Sequence, residues 1–421
     1  MVGVTFVLYV GLMMLIGYFA YRRTHNLSDY ILGGRRLGKW VTALSACASD
    51  MSGWLLLGLP GYAYVAGFEA GWIALGLLLG TYLNWRVVAA RLRHYSVIAG
   101  DSQTLPAFFE NRFRDDSRAL RLVSAIFILL FFLFYTSSGL VAGGKLFNAV
   151  FELPYHWAVT VGALVVVVYT FVGGFLAVSW TDLFQGLLMA LALLIVPVIA
   201  ISSLGGWGNT LSTLSATNPA LLDALTNVDN EPLGVLAVLS LLAWGLGYFG
   251  QPHILARFKA IRSVDEIPAA RKIAVSWVTL TLLCAVFAGI SGIGYLQPPL
   301  EGADSEKVFI LMVEALFHPV IAGICLAAIL AAIMSTADSQ LLVSASVFTS
   351  DFYRALFRRT ASEQELVWTG RFAVLVIAFV ALILAWDAER KVLDLVAYAW
   401  AGFGAAFGPA LILSLFWRRM N

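Results

Sequence analysis

Ala48-Ser-Asp-Met-Ser-Gly53 and Trp244-Gly-Leu-Gly-Tyr-Phe-Gly-Gln-Pro252 each interrupt an apolar run long enough to cross a membrane. Glycine and proline weaken helices, and backbone groups freed at membrane depth persist only where protein or a water-filled cavity satisfies them. Paired interruptions in corresponding helices mark the central site of a transporter. Small residues also let membrane helices pack closely, so one interruption alone carries little. The argument rests on two in matching places.

The surrounding chain sets those places. Its 421 residues are 60% hydrophobic and 12% charged, with a mean hydropathy of +0.85. That is about half the charge of an average soluble domain. A helix crosses a ~30 Å hydrocarbon core in ~20 residues. On that measure eleven spans are expected: 2–21, 41–66, 71–91, 119–150, 156–177, 181–204, 232–252, 271–297, 319–350, 366–386 and 392–417. The first has no basic residue before it and no small-residue cleavage site, and Arg22 and Arg23 follow it, so it fits an uncleaved anchor rather than a signal peptide.

Of the 27 lysines and arginines, all but Lys145, Lys307, Arg390 and Lys391 fall on one side of this arrangement. The loop 205–231 on the opposite side has acids and no base. The positive-inside bias predicts an outside N-terminus and an inside Asn421. Beyond residues 1–40, the chain divides into 41–204 and 232–421, joined by the outer loop 205–231. Each half has five spans, and an odd number forces opposite topologies, so the expectation is an all-α polytopic membrane protein with an inverted repeat.

The formal charge of +2 and the lack of a basic stripe with interleaved aromatics exclude a nucleic-acid partner. Cys47, Cys284 and Cys325 lie inside apolar runs without CxxC or Cys/His spacing, so they fit packing residues rather than a disulfide framework or a zinc site. The five histidines are scattered, with no HExxH or Ser/His/Asp constellation, which argues against an enzyme.

Within the spans, the polar residues carry the signal. Asp50 lies about ten residues into its span, where a carboxylate costs ~2.5–3.5 kcal/mol even on a lenient scale. A cation, a substrate amine or the exposed amides of the second half-helix would offset that cost, and a simple cap on Met51 to Gly53 is the plain alternative. Ala332, Ser335, Thr336 and Ser339 stand at i, i+3, i+4 and i+7 and share one helical face. Such hydroxyls, with carbonyls from an unwound helix, make an oxygen-only pocket suited to a hard cation, although serine and threonine also join membrane helices. Asp182 and Asp338 are two further acids without an evident partner. Between them a second cation could sit; Asp182 also fits an N-terminal helix cap, and Asp338 a water-facing or Lys/Arg-paired position.

The stretches 30–35 (YILGGR), 48–54 (ASDMSGW), 171–182 (FVGGFLAVSWTD), 244–253 (WGLGYFGQPH), 332–336 (AIMST) and 397–409 (AYAWAGFGAAFGP) together resemble the solute:sodium symporter family, most closely its sodium/proline symporter branch. The resemblance runs nearly end to end. It implies a five-plus-five inverted-repeat fold of the leucine-transporter type with one extra N-terminal helix, and sodium-coupled uptake of L-proline. It assigns Na⁺ to the carbonyls of Ala48, Met51 and Ala332 and the hydroxyls of Ser335 and Thr336. Substrate contacts fall on Ser52, Gly53, Trp54, Tyr135, Trp244, Tyr248 and Pro252, and coupling roles on Asp50 and Arg35. A proline carboxylate suits amides at a half-helix N-terminus, and its ring and ammonium suit Trp and Tyr walls.

The family usually continues for two more helices, so the resemblance implies a C-terminally shortened chain with its ten core helices complete. Asp338 and Ser339 depart from the neutral pair in the best-known proline symporter. Sialic acid symporters use these positions with Ser335 and Asp182 for a second sodium, which extends to this chain the expectation of a second cation site. Rival expectations are another small amino acid or a carboxylate as solute, or a symporter-like sensor domain.

Overall fold

The computed structural model describes residues 1–21, 31–172 and 174–420. Arg22, Arg23, Tyr30 and Gly173, which the sequence reading used, and Asn421 lie outside the described residues. Among the described residues every named element is helical. In chain order they are α1 (Val2–Tyr21), α2 (Lys39–Asp50), α3 (Leu59–Ala66), α4 (Gly71–Leu83), α5 (Ala89–Ile98), α6 (Leu105–Phe113), α7 (Ala119–Phe151), α8 (Tyr155–Val172) and α9 (Phe175–Ser203). There follow α10 (Trp207–Thr217), α11 (Val235–Leu242), α12 (Pro252–Ala260), α13 (Ile267–Tyr295), α14 (Val308–Leu316), α15 (Pro319–Val347), α16 (Glu363–Leu384) and α17 (Val392–Phe416). Among the described residues eight helical runs are long and apolar enough to cross a membrane, and the bent pair Val235–Gly250 and Pro252–Ala260 makes a ninth.

The outer helices show why this molecule belongs in lipid. On α1, Phe6, Tyr9 and Met13 are buried at helical spacing against α9 and α15, while Val4, Val7, Leu8 and Leu12 point outward. Large apolar side chains on both faces of a helix need protein on one side and hydrocarbon on the other. At the centre, α15 is buried nearly all round. Alanines and serines along it, from Ala327 to Ser339, let α1, α2, α7 and α9 approach closely.

The two interruptions are breaks in the helical backbone. Residue Met51 adopts φ −80°, ψ 76°, and the Ser52 amide donates back to Asp50 O at 3.0 Å. This is an inverse γ-turn, which helix hydrogen bonding cannot span. A π-helical turn, Trp54–Gly58, then leads into α3.

In the second half, α11 passes into 3-10 turns over Ala243–Gly250, Gln251 is extended (ψ 107°) and α12 begins at Pro252, with a 48° bend. Pro252 lacks the N–H that would reach Tyr248 O and pushes Gln251 out of helical geometry. The amide of Asn84 takes over that carbonyl at 3.0 Å.

Where sequence alone ended the fifth span at 177 and began the sixth at 181, the structure places the division at Val172 and Phe175. Gly174 is extended there, and the apolar Phe175–Val178 belongs to α9.

Candidate functional site

The first break frees carbonyl oxygens, and the structure brings donors to them. In a continuous helix Ser52 N–H would serve Ala48 O; the γ-turn redirects it to Asp50 O. Ala48 O instead accepts from Ser335 Oγ at 2.7 Å and Thr336 Oγ1 at 3.3 Å. Ser335 Oγ also lies 3.2 Å from Ala332 O. Four of the five residues expected to hold sodium thus meet in one fully buried cluster. The fifth, Met51, forms the turn itself, and Leu55 N–H, which would normally bond Met51 O, bonds Ser52 O at 3.0 Å. Neutral hydroxyls and carbonyls with no thiolate or imidazole suit a hard cation of low charge.

Asp50 links the two breaks. Its main-chain oxygen accepts from Tyr135 OH at 2.8 Å and Trp54 Nε1 at 3.1 Å. Its side-chain Oδ2 accepts from Tyr248 OH at 2.7 Å, and Oδ1 has no hydrogen-bond partner among the described residues. The plain capping alternative for Asp50 is therefore incomplete, because the carboxylate reaches the second break.

The aromatic residues expected to line the substrate site gather on the same spot. Trp54 and Tyr248 meet the ring of Trp400 edge-on, with centroids 6.4 and 4.9 Å away, and Trp244 lies tilted at 6.3 Å. Ser52 Oγ accepts from Trp54 N–H at 3.4 Å. Gly53 presses on α7, where an added Cβ would stand 2.6 Å from that of Ala142. Pro252 opens α12, and the next residue, His253, faces the Tyr135 ring at 5.9 Å. Trp400 was missed as an individual contact, although it lies in a stretch that carried the resemblance. An aromatic residue in an apolar helix gives no sign by itself of facing inward.

Arg35 is placed apart from Asp50. Its guanidinium pairs with Asp101 at 2.7 Å and donates to Ser96 Oγ at 3.3 Å. Burial pulls its pKa below the usual arginine value, with Asp101 opposing the shift. Its segment is tied to the end of α12: Leu37 N–H bonds Ala260 O at 3.2 Å, and Arg262 N–H bonds Leu37 O at 2.9 Å. Arg35 therefore sits where the approach to the first broken helix meets the exit from the second.

Asp182, which lacked an evident partner, has one in the completely buried Arg257, and Asp338 is linked to the same guanidinium through Ser339. Arg257 Nη2 lies 3.2 Å from Asp182 Oδ2 and 2.5 Å from Ser339 Oγ, and its Nε lies 3.1 Å from Ser45 Oγ. Ser45 Oγ donates to Asp182 Oδ2 at 2.7 Å, and Ser339 Oγ contacts Asp338 Oδ1 at 3.3 Å. The helix-cap alternative for Asp182 is corrected, since α9 begins at Phe175 and Asp182 lies in its third turn. The water-facing alternative for Asp338 is also corrected, as it is fully buried. Sequence reasoning had counted Arg257 among the inner basic residues.

The chain matches the sodium:solute symporter family model over residues 30–421. It is 53% identical to the high-affinity proline transporter PutP of Bacillus subtilis, covering 97% of this chain and 86% of that protein. It is 52% identical to the sodium/proline symporter of Escherichia coli, covering 99% and 83%. Its fold matches a solved Na⁺-coupled sialic acid symporter with a TM-score of 0.82, at 18% identity over 100% of this chain and 88% of the other. The chain belongs to the sodium:solute symporter family. Its fold is the five-plus-five, leucine-transporter-type inverted repeat with one extra N-terminal helix, and it is a multi-pass membrane protein.

Proposed function

We propose that the protein takes up L-proline by sodium-coupled symport through alternating access. One observation carries the reading: the Ser335 and Thr336 hydroxyls meet the freed carbonyl of Ala48 on the same helix break whose Asp50 holds Tyr248 and Tyr135. Ion and solute therefore share one movable element. The similarity to sodium/proline symporters over nearly the whole chain supports proline as the solute.

Sodium binds from outside to the carbonyls of Ala48, Met51 and Ala332 and the hydroxyls of Ser335 and Thr336, displacing the hydroxyl-to-carbonyl bonds. Ser52, Gly53, Trp54, Tyr135, Trp244, Tyr248 and Pro252 receive proline, with Trp400 as a further wall. Coupling requires only that sodium stabilise the proline-binding state, and it is reciprocal. Asp50 transmits it between the breaks, and Arg35 holds their inner ends. Two carboxylates against one guanidinium leave one negative charge unbalanced around Arg257, which fits a second cation held by Asp182, Asp338, Ser339 and Ser335.

In this reading residues 41–204 and 232–421 are the two five-helix repeats, 205–231 is an outer loop, and residues 1–40 carry the extra helix, whose N-terminus lies outside. The basic bias of the opposite side supports that orientation. Uptake of labelled L-proline into proteoliposomes under an inward sodium gradient tests the proposal. Accumulation that disappears with potassium in place of sodium is expected. Sodium-dependent binding without accumulation would point to a sensor, and absence of both would exclude proline.

A further inference from the structure

We infer that the arginine-lined cavity at the basic end of the bundle binds a phosphate-bearing anion, supplied as an anionic phospholipid headgroup or as free phosphate. The cavity, about 370 Å³, opens between the loop Gly100–Thr104, the start of α7 and the π-helical turn Phe348–Phe357. That volume lies in the ~300–1,000 Å³ range of small-ligand sites. Arg118, Arg121, Arg354 and Arg359 line it, and Asp101 is the one acidic residue among its lining residues.

The charges do not cancel. Asp101 is committed to Arg35 at 2.7 Å. Arg121 is held by Asp351 at 2.6 Å and Glu110 at 2.7 Å, and Arg118 is held by Ala355 O at 2.7 Å and lies 3.9 Å from Glu110. These bonds fix two guanidiniums in place. Arg354 and Arg359 are exposed and form no ion pair among the described residues. Among the described residues, five arginines here, Arg35 included, face the carboxylates of Asp101, Asp351 and Glu110, so two positive charges remain. Guanidiniums bind phosphate oxygens through paired N–H groups, which a lone lysine cannot match.

The rim favours a lipid as the source. Leu120 and Val123 on α7, and Leu356 and Phe357 beside Arg354 and Arg359, are large exposed apolar side chains, Phe357 to 75%. They mark where hydrocarbon meets water next to the cavity, so a headgroup would enter it while its acyl chains lay along α7. The surface potential of an anionic leaflet would draw the same lipid to this end. The site touches the transport machinery through Asp351, which follows α15 and receives Thr104 Oγ1 at 3.2 Å. That the cavity faces the inner leaflet rests on the proposed orientation; binding in a nanodisc, where both faces are open, does not depend on it.

The test uses the full chain in nanodiscs of phosphatidylcholine with or without phosphatidylglycerol. Retained lipid is read by native mass spectrometry, and thermal stability is followed while inorganic phosphate is added. Retention of phosphatidylglycerol over phosphatidylcholine, weakened at least roughly tenfold in R354Q/R359Q and kept in R418Q/R419Q, is expected. Stabilisation by phosphate without lipid preference, also lost in R354Q/R359Q, would assign the site to the free anion. Equal loss in R418Q/R419Q would reduce the effect to general surface charge and overturn the site. So would wild-type behaviour in R354Q/R359Q toward both probes. R359Q alone, at an exposed position, gives the same readout if the double variant does not fold.

Discussion

The hydroxyl of Tyr248 donates to Oδ2 of Asp50 at 2.7 Å, so one buried hydrogen bond joins the two broken helices. It links residues 198 positions apart at the place where each helix loses its regular bonding. A hydrogen bond to a charged group contributes ~1.5–3 kcal/mol.

Tyr248→Phe removes that donor while keeping the ring against Trp400. The factor by which sodium raises proline affinity, and proline raises sodium affinity, should fall by the same roughly 10–100-fold, since linkage makes that coupling reciprocal. Equilibrium binding of labelled proline across a sodium series measures both. A proline loss of the same size without sodium and at saturating sodium would reduce Tyr248 to a wall of the solute site.

Ser335→Ala and Thr336→Ala each remove a hydroxyl that now reaches Ala48 O. In the proposed site these are ion ligands, so the sodium concentration for half-maximal uptake should rise by roughly tenfold or more in each. The melting temperature should change little, because the lost bonds are single and neutral. Uptake with unaltered sodium dependence would remove the ion from this cluster.

Much of this was legible in the sequence, and the physical reasons differ by residue. Both breaks were visible because Gly, Pro and an Asp-Met-Ser run are poor at continuing a helix in lipid. The face of Ser335, Thr336 and Ser339 was visible because helical spacing is fixed. Arg257 was not, because its partner Asp182 is 75 residues away and nothing local separates a buried guanidinium from a water-facing one. Trp400 was hidden for the same reason: Trp368, also in an apolar helix, is 60% exposed. The boundary between α8 and α9 was misplaced because Phe175–Val178 is as apolar as the spans beside it.

The second break is held by backbone-to-backbone packing on glycines. A Cβ on Gly245 would stand 2.0 Å from Gly76 O, and one on Gly80 would stand 2.2 Å from Gly245 O. Gly245→Ala should therefore destabilise the protein by ~1–3 kcal/mol or more through overpacking. Gly71→Ala, where no described residue lies within 4 Å of the added Cβ, should stay within ~0.5 kcal/mol. Thermal unfolding of the purified pair in one detergent makes the comparison, and equal melting temperatures would deny the close approach.

Arg257 and its acids separate structural need from ion coupling. Arg257→Gln leaves Asp182 and Asp338 buried without a counter-charge, and breaking a buried pair in this way costs ~3–5 kcal/mol. A large fall in melting temperature is expected. Asp338→Asn acts differently: it removes the surplus negative charge and leaves Arg257 paired one-to-one with Asp182. That variant should fold at least as well as the parent, because a carboxylate oxygen without a partner among the described residues is replaced by a neutral amide. If the surplus charge holds a second sodium, the sodium-to-proline flux ratio falls in Asp338→Asn at unchanged stability. A ratio identical to that of the parent would mean that a proton, not sodium, balances the acids, and one ion would then suffice for coupling.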